Sequence, residues 1–219
     1  MTKYMKYFFY LFVLTEFISV RAGSYEDYFF AVRQDDSRTV ESLLKRGFDP
    51  NARDPKGFHG LFVAVSEPSP KVAAVLIDWP KTDVEPRTKE DESPLMIVAL
   101  KGDLELARRL VARGAHVNKT GWTALHYAAT NGHLTLIRFL LDQNAYIDAE
   151  APSGTTPLMM AAHYGTPEAV KLLLDEGADP MLKNLQGLTA IDFANRANRK
   201  ESAELIAAFI RSRQPRGKW

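Results

Sequence analysis

Apolar positions recur along this chain in short phrases set between polar turns, and the phrases repeat. Leu61, Leu95, Leu125, Leu158 and Ile191 are spaced 34, 30, 33 and 33 residues apart. Each belongs to a version of one phrase: His59-Gly-Leu61, Ser93-Pro-Leu95, Thr123-Ala-Leu125, Thr156-Pro-Leu158 and Thr189-Ala-Ile191. A period near 33 marks a stacked-repeat protein. Within one period the pattern predicts two helices and a projecting turn. Ala124 to Ala129 predicts a short helix with small residues on one side, closed by Gly132. Leu134, Ile137, Leu140 and Leu141 then predict a second helix carrying an apolar stripe at helical period.

Gly102, Gly132, Gly165 and Asn198 hold one position in four repeats and are the residue types that accept a left-handed backbone, so each is expected to reverse the chain between helices. Thr166-Pro167-Glu168 reads as an N-cap, a first-turn proline and an acid beside the helix dipole. Asn198 to Glu201 has capping-box spacing. A second phrase closes each unit: Gly47-Phe-Asp-Pro-Asn51, Gly114-Ala-His-Val-Asn118, Asn144-Ala-Tyr-Ile-Asp148 and Gly177-Ala-Asp-Pro-Met181. In these two phrases the chain closely resembles the ankyrin-repeat family over about residues 24–211. The resemblance implies an all-α fold: an ankyrin-repeat solenoid of stacked antiparallel helix pairs with projecting β-hairpin-like turns.

The expected order is a signal peptide (1–22), an N-terminal capping repeat (23–53), a divergent repeat (54–87), and repeats at 88–118, 119–150 and 151–183. A C-terminal capping repeat (184–211) and a basic tail (212–219) follow. In the divergent repeat Pro68 replaces the turn glycine, and proline cannot take a positive φ, so a different bend is expected there. The interval from Leu95 to Leu125 is 30 residues, and so is that from Gly102 to Gly132. The helices keep their length, so the loss falls between Val117 and Trp122 and predicts a notch in the row of turns, with Trp122 at its base.

Composition changes this picture in one place. The whole chain of 219 residues is 46% apolar with a net charge of +1, an ordinary globular balance that gives no sign of nucleic-acid binding. Residues 1–22 differ. Lys3 and Lys6 precede an apolar run from Tyr7 to Leu14, and Val20-Arg-Ala22 offers a small-residue cleavage site, the layout of a secretory signal peptide. Glu16 and Arg21 interrupt the run too early for a stable membrane span, so cleavage after Ala22 is expected, leaving a net charge of −1. There is no cysteine, which excludes thiolate chemistry and suits an oxidising compartment. The chain is similar in these respects to small exported, periplasmic ankyrin-repeat proteins of Gram-negative bacteria, and a monomer is expected.

No nucleophile arrangement or phosphate-binding glycine loop is present, so an enzyme is not expected and no cofactor is assigned. Of five histidines, His126 and His133 occupy positions where the family uses histidine structurally, while His59 and His116 read as surface or turn residues. Met159 and His163 lie four apart on one predicted helix and, with Tyr164, leave a metal or haem carrier as an alternative. The resemblance implies a protein partner bound on the concave side. It assigns that contact to the turn residues Phe58, Glu92, Trp122, Thr155 and Leu188. It adds the helix-end residues Lys101, Thr130, Asn131, His163, Tyr164 and Arg196. Aromatic residues and arginine there are hot-spot material, with Trp122 and Tyr164 foremost. Folding back of Phe58, Trp122 or Leu188 onto a neighbouring turn is the structural alternative. The acidic turn Glu90–Glu92 would suit a basic partner, and an inhibitor or immunity protein for a periplasmic enzyme or toxin is a second functional reading.

Overall fold

A computed structural model describes residues 23–213, so the expected signal segment and the end of the tail lie outside the described residues. The described residues divide into two compact units after Asp83. In the first, helix α1 (23–33) is followed by α2 (Ser37–Lys45), α3 (Gly60–Ser66) and α4 (Pro70–Asp78). Tyr28 of α1 is fully buried against the rings of Phe29 and Phe48, at 5.0 and 4.6 Å. Both α2 and α3 pack on α4. The bend at Pro68 follows an α3 that ends in extended backbone at Glu67, and Pro70 opens α4 at a position where a missing N–H costs nothing.

The second unit contains four helix pairs: α5 (Pro94–Lys101) and α6 (Leu104–Ala112), α7 (Ala124–Thr130) and α8 (Leu134–Asp142), α9 (Pro157–His163) and α10 (Pro167–Asp175), and α11 (Ala190–Arg196) and α12 (Lys200–Arg213). The first helices stack in chain order, and the second helices stack beside them. Leu95, Leu125 and Leu158 are buried between layers, each contributing about 1.5–3 kcal/mol by leaving water. Ile191 is only half-buried, since no further first helix stacks on α11 among the described residues. In α8 the buried residues are Leu136, Ile137, Phe139 and Leu140, whereas Leu134 and Leu141 are half-buried. A helix flanked on both sides by neighbours needs a wider apolar arc than a single stripe.

Each first helix of the second unit opens with the same capping device built from different chemistry. The third helical residue accepts the N–H of the N-cap residue: Met96 Sδ from Ser93 (3.4 Å), His126 Nδ1 from Thr123 (3.2 Å), Met159 Sδ from Thr156 (3.4 Å) and Asp192 Oδ2 from Thr189 (2.8 Å). His59 departs from the surface role expected of it. It is buried as the N-cap of α3, with Nδ1 accepting from Leu61 N–H at 3.2 Å and Nε2 toward Asn51 Oδ1 at 3.0 Å. His116 is exposed, and His133 reaches the Leu100 carbonyl at 3.0 Å.

The reversals divide into two kinds. Gly102, Gly132 and Asn198 have φ of 77°, 68° and 55°, the left-handed backbone expected of them. Gly165 does not. A Cβ there would stand 2.5 Å from the Ala129 carbonyl oxygen and 2.9 Å from Ala161 Cα, so glycine is required by the close approach of two first helices. Asn198, being left-handed, is the turn residue rather than a helix cap, and α12 begins at Lys200. Thr166 caps α10 as expected, accepting from Ala169 N–H at 3.2 Å.

Candidate partner-binding face

The projecting turns are closed by one repeated backbone bond. The N–H seven residues before the repeat leucine or isoleucine donates to the carbonyl three residues before it. The pairs are Asp54–Phe58 (2.8 Å), Thr88–Glu92 (3.1 Å), Ala151–Thr155 (2.9 Å) and Asn184–Leu188 (3.0 Å). A single antiparallel bridge, Arg53 with His59, is the strand-like trace of this hairpin in the first unit. The connection between α6 and α7, residues 113–123, is three residues shorter than 143–156 and 176–189. Its hairpin bond is missing among the described residues. The Trp122 carbonyl instead accepts from the ammonium of Lys119 at 3.2 Å. The same ammonium reaches the Thr120 carbonyl at 2.8 Å and Asp91 at 2.5 Å. A side-chain cation has replaced the lost backbone donor. Asp91 is held below the usual carboxylate range, first by that hydrogen bond from Lys119.

Adjacent turns are also tied by a ladder. Asn51, Glu85, Asn118 and Asp148 accept the backbone N–H of Asp83, His116, Tyr146 and Asp179 at 2.8, 2.8, 2.8 and 3.1 Å. The asparagines also donate from Nδ2, Asn51 to the Lys81 carbonyl (3.0 Å) and Asn118 to that of Asn144 (2.7 Å). Asp148 has no such donor, and burial pushes its carboxyl above the ordinary value.

On the first helices of the second unit, the positions two, five and six residues after the repeat leucine share one helix face. The first set is Ile97, Tyr127, Met160 and Phe193, all half-buried. The second is Leu100, Thr130, His163 and Arg196, and the third begins with Lys101, Asn131 and Tyr164. The apolar stripe from Ile97 to Phe193 was not among the residues expected from sequence, although every member has the same offset from its repeat leucine. Tyr164 is 56% exposed, and Lys101 at the end of α5 and Arg196 at the end of α11 are exposed too. His163 Nδ1 lies 3.2 Å from the Phe193 carbonyl, with its ring against Tyr164 at 4.2 Å. The Asn131 amide donates to the Leu100 carbonyl (2.7 Å), and the Thr130 hydroxyl donates to that of His126 (2.8 Å).

Glu92 and Trp122 both adjoin Tyr127. Trp122 is half-buried edge-on to His126 and Tyr127, with centroids 5.2 and 6.5 Å away, and the Tyr127 hydroxyl donates to Glu92 at 2.8 Å. Leu188 is half-buried at its hairpin. Thr155 does not join this face. It is 5% exposed, its hydroxyl pairs with that of Ser153, and its carbonyl receives His126 Nε2 at 2.9 Å. Phe58 belongs to the first unit, where it stacks on Phe62 at 5.6 Å and lines a recess of about 190 Å³ with Arg33 and Asp54. Met159 also leaves the set considered for metal. It is fully buried with its sulfur on a backbone N–H, so it does not share a ligating site with His163. Among the described residues no group of three His, Asp or Glu side chains could hold a metal ion. No described helix is long and apolar enough to cross a membrane.

Residues 28–119 and 61–151 match the family described as Ankyrin repeats (3 copies), and residues 146–194 match Ankyrin repeats (many copies). Among curated proteins, Ankyrin repeat and SAM domain-containing protein 6 of Mus musculus is 38% identical over 120 residues, which are 52% of this chain and 14% of that protein. The chain therefore spans only a small part of that relative. An ankyrin repeat domain from Acinetobacter baumannii has a TM-score of 0.73 at 27% identity, covering 84% of this chain and 98% of that one. A chain from the structure of a Bdellovibrio bacteriovorus predatory endopeptidase in complex with an immunity protein has a TM-score of 0.72 at 28% identity, covering 83% of this chain and 97% of that one.

Proposed function

Because this chain belongs to the ankyrin-repeat family, we propose that it is a non-catalytic module that binds a protein partner with the first-helix face and turn tips of its second unit. Proteins built from these repeats are generally interaction modules rather than catalysts. The observation that carries the reading is the half-exposed stripe Ile97, Tyr127, Met160 and Phe193, flanked by Trp122, His163 and Tyr164. Large apolar and aromatic side chains left half-exposed at one offset over four helices fit a partner contact.

The proposed setting is the periplasm of a Gram-negative bacterium, with the protein a monomer released by cleavage after Ala22. The layout of residues 1–22 and the absence of cysteine support this. A second reading, an inhibitor or immunity protein for an exported enzyme, draws support from the similar chain in the endopeptidase–immunity protein complex.

One experiment tests the proposal. The full chain is expressed in a Gram-negative host, recovered from the periplasm, sequenced at its N-terminus, and used to capture proteins from periplasmic extract beside a Trp122→Ala/Tyr164→Ala variant. A mature chain starting at Gly23 and a partner lost only with the folded variant are expected. An uncleaved chain retained in the cytoplasm rejects export, and an unchanged partner set rejects this face.

A further inference from the structure

Beside the shortened connection, Tyr127 meets the Trp122 ring on one side and the Glu92 carboxylate at its hydroxyl. The Trp122 indole stands at 89° to the Tyr127 ring, with centroids 6.5 Å apart. The Tyr127 hydroxyl donates to Glu92 Oε1 at 2.8 Å. All three side chains are half-buried, so water reaches them but does not fully screen them.

The charges around them are unequal. Arg87 is held by Glu85 at 2.6 Å and approaches Asp91 at 3.9 Å, and Lys119 is held by Asp91 at 2.5 Å. No described cation lies within ion-pair distance of Glu92, whose side-chain contact is the neutral phenol. Burial and the bond to Glu92 both push the Tyr127 hydroxyl up, so the phenol keeps its proton and donates the hydrogen bond to Glu92.

We infer that Trp122, Tyr127 and Glu92 form a subsite for a basic side chain of the protein partner, arginine above all. A guanidinium can lie flat on an aromatic face while its N–H groups reach the carboxylate, a combination an ammonium matches less well. An apolar side chain would bury the Glu92 charge without pairing it, and an acidic one would be repelled. This inference rests on the reading of the first-helix face as the partner contact and specifies what the partner presents there.

The test uses the whole chain and capped single amino acids as probes. N-acetylarginine amide and its neutral isostere N-acetylcitrulline amide are titrated while the Trp122 indole N–H resonance, assigned with Trp122→Phe, is followed by NMR. Arginine is expected to move that resonance along a saturating curve and citrulline to leave it in place. Glu92→Gln, which still accepts the Tyr127 hydrogen bond and so should keep the fold, is expected to weaken arginine about ten-fold. An equal response to both probes, a response indifferent to Glu92→Gln, or no saturable response overturns the inference. If partner capture still depends on Trp122 and Tyr164 while arginine gives no response, the face survives and the subsite falls. Capture that ignores both residues removes the face itself.

Discussion

His126 is the residue on which one whole repeat turns. Its Nδ1 accepts from the Thr123 backbone and its Nε2 faces the Thr155 carbonyl, so the fold needs the neutral ring carrying its proton on Nε2. Burial lowers its pKa to about 4, and burial does the same for His59, also to about 4. Because the unfolded chain takes up these protons near 6.5, the stabilisation is complete above that value. It is lost as pH falls toward 4, at up to about 1.4 kcal/mol per pH unit for each ring. Thermal midpoints should therefore drop between pH 7 and pH 5, and His126→Gln should flatten part of that slope. Asp148 carries the opposite lesson. It stands in a ladder position where Asn118 both accepts and donates, but it only accepts. Asp148→Asn should restore the donor and remove a half-buried charge, raising stability by about 0.5–1.5 kcal/mol in urea melts. The leucine rung and the left-handed turns at Gly102 and Gly132 were legible because they follow from residue type at a fixed offset. Gly165, His59 and Thr155 were not, because their roles depend on which group of a neighbouring segment comes within reach.

At the scale of the element, the connection 113–123 shows what a three-residue deletion does to a hairpin. The position seven before the repeat leucine becomes Asn118, whose side chain serves the ladder and whose backbone N–H makes no bond to the Trp122 carbonyl. Lys119 supplies the donor, and its side chain is only 14% exposed while it does so. Lys119→Met should leave that carbonyl without its donor and Asp91 with Arg87 alone, at 3.9 Å. A loss of about 1–3 kcal/mol in denaturant midpoint is expected, with unchanged helix content by circular dichroism. A loss under half that size would show that water replaces the ammonium. The short spacing placed the missing residues in this connection, and the helix bounds on either side agree. That a lysine would hold its base was not legible, since nothing in the spacing says how an orphaned carbonyl finds a donor.

Taken as a whole, the molecule spreads one device over many repeats and varies it only where a surface is made. The core positions tolerate Met, His and Asp at the same cap because each presents an acceptor to the same N–H. The half-exposed positions two residues after the repeat leucine instead share size and apolar character. Fold class was therefore readable from the repeats. The partner face was readable only in part, because a large side chain at a regular offset looks the same in sequence whether it faces the core or solvent.

The methionines of the second unit turn this arrangement into a chemical footprint. Met96 and Met159 are buried with their sulfurs on backbone N–H groups, Met160 is half-buried on the stripe, and Met181 is 57% exposed in a turn. Sulfoxide formation follows access, so limited peroxide should oxidise Met181 first, Met160 next and the capping pair last, as peptide masses will report. A partner seated on the stripe should shield Met160 alone. The chain thus carries an internal reference, Met181, beside its own reporter of occupancy.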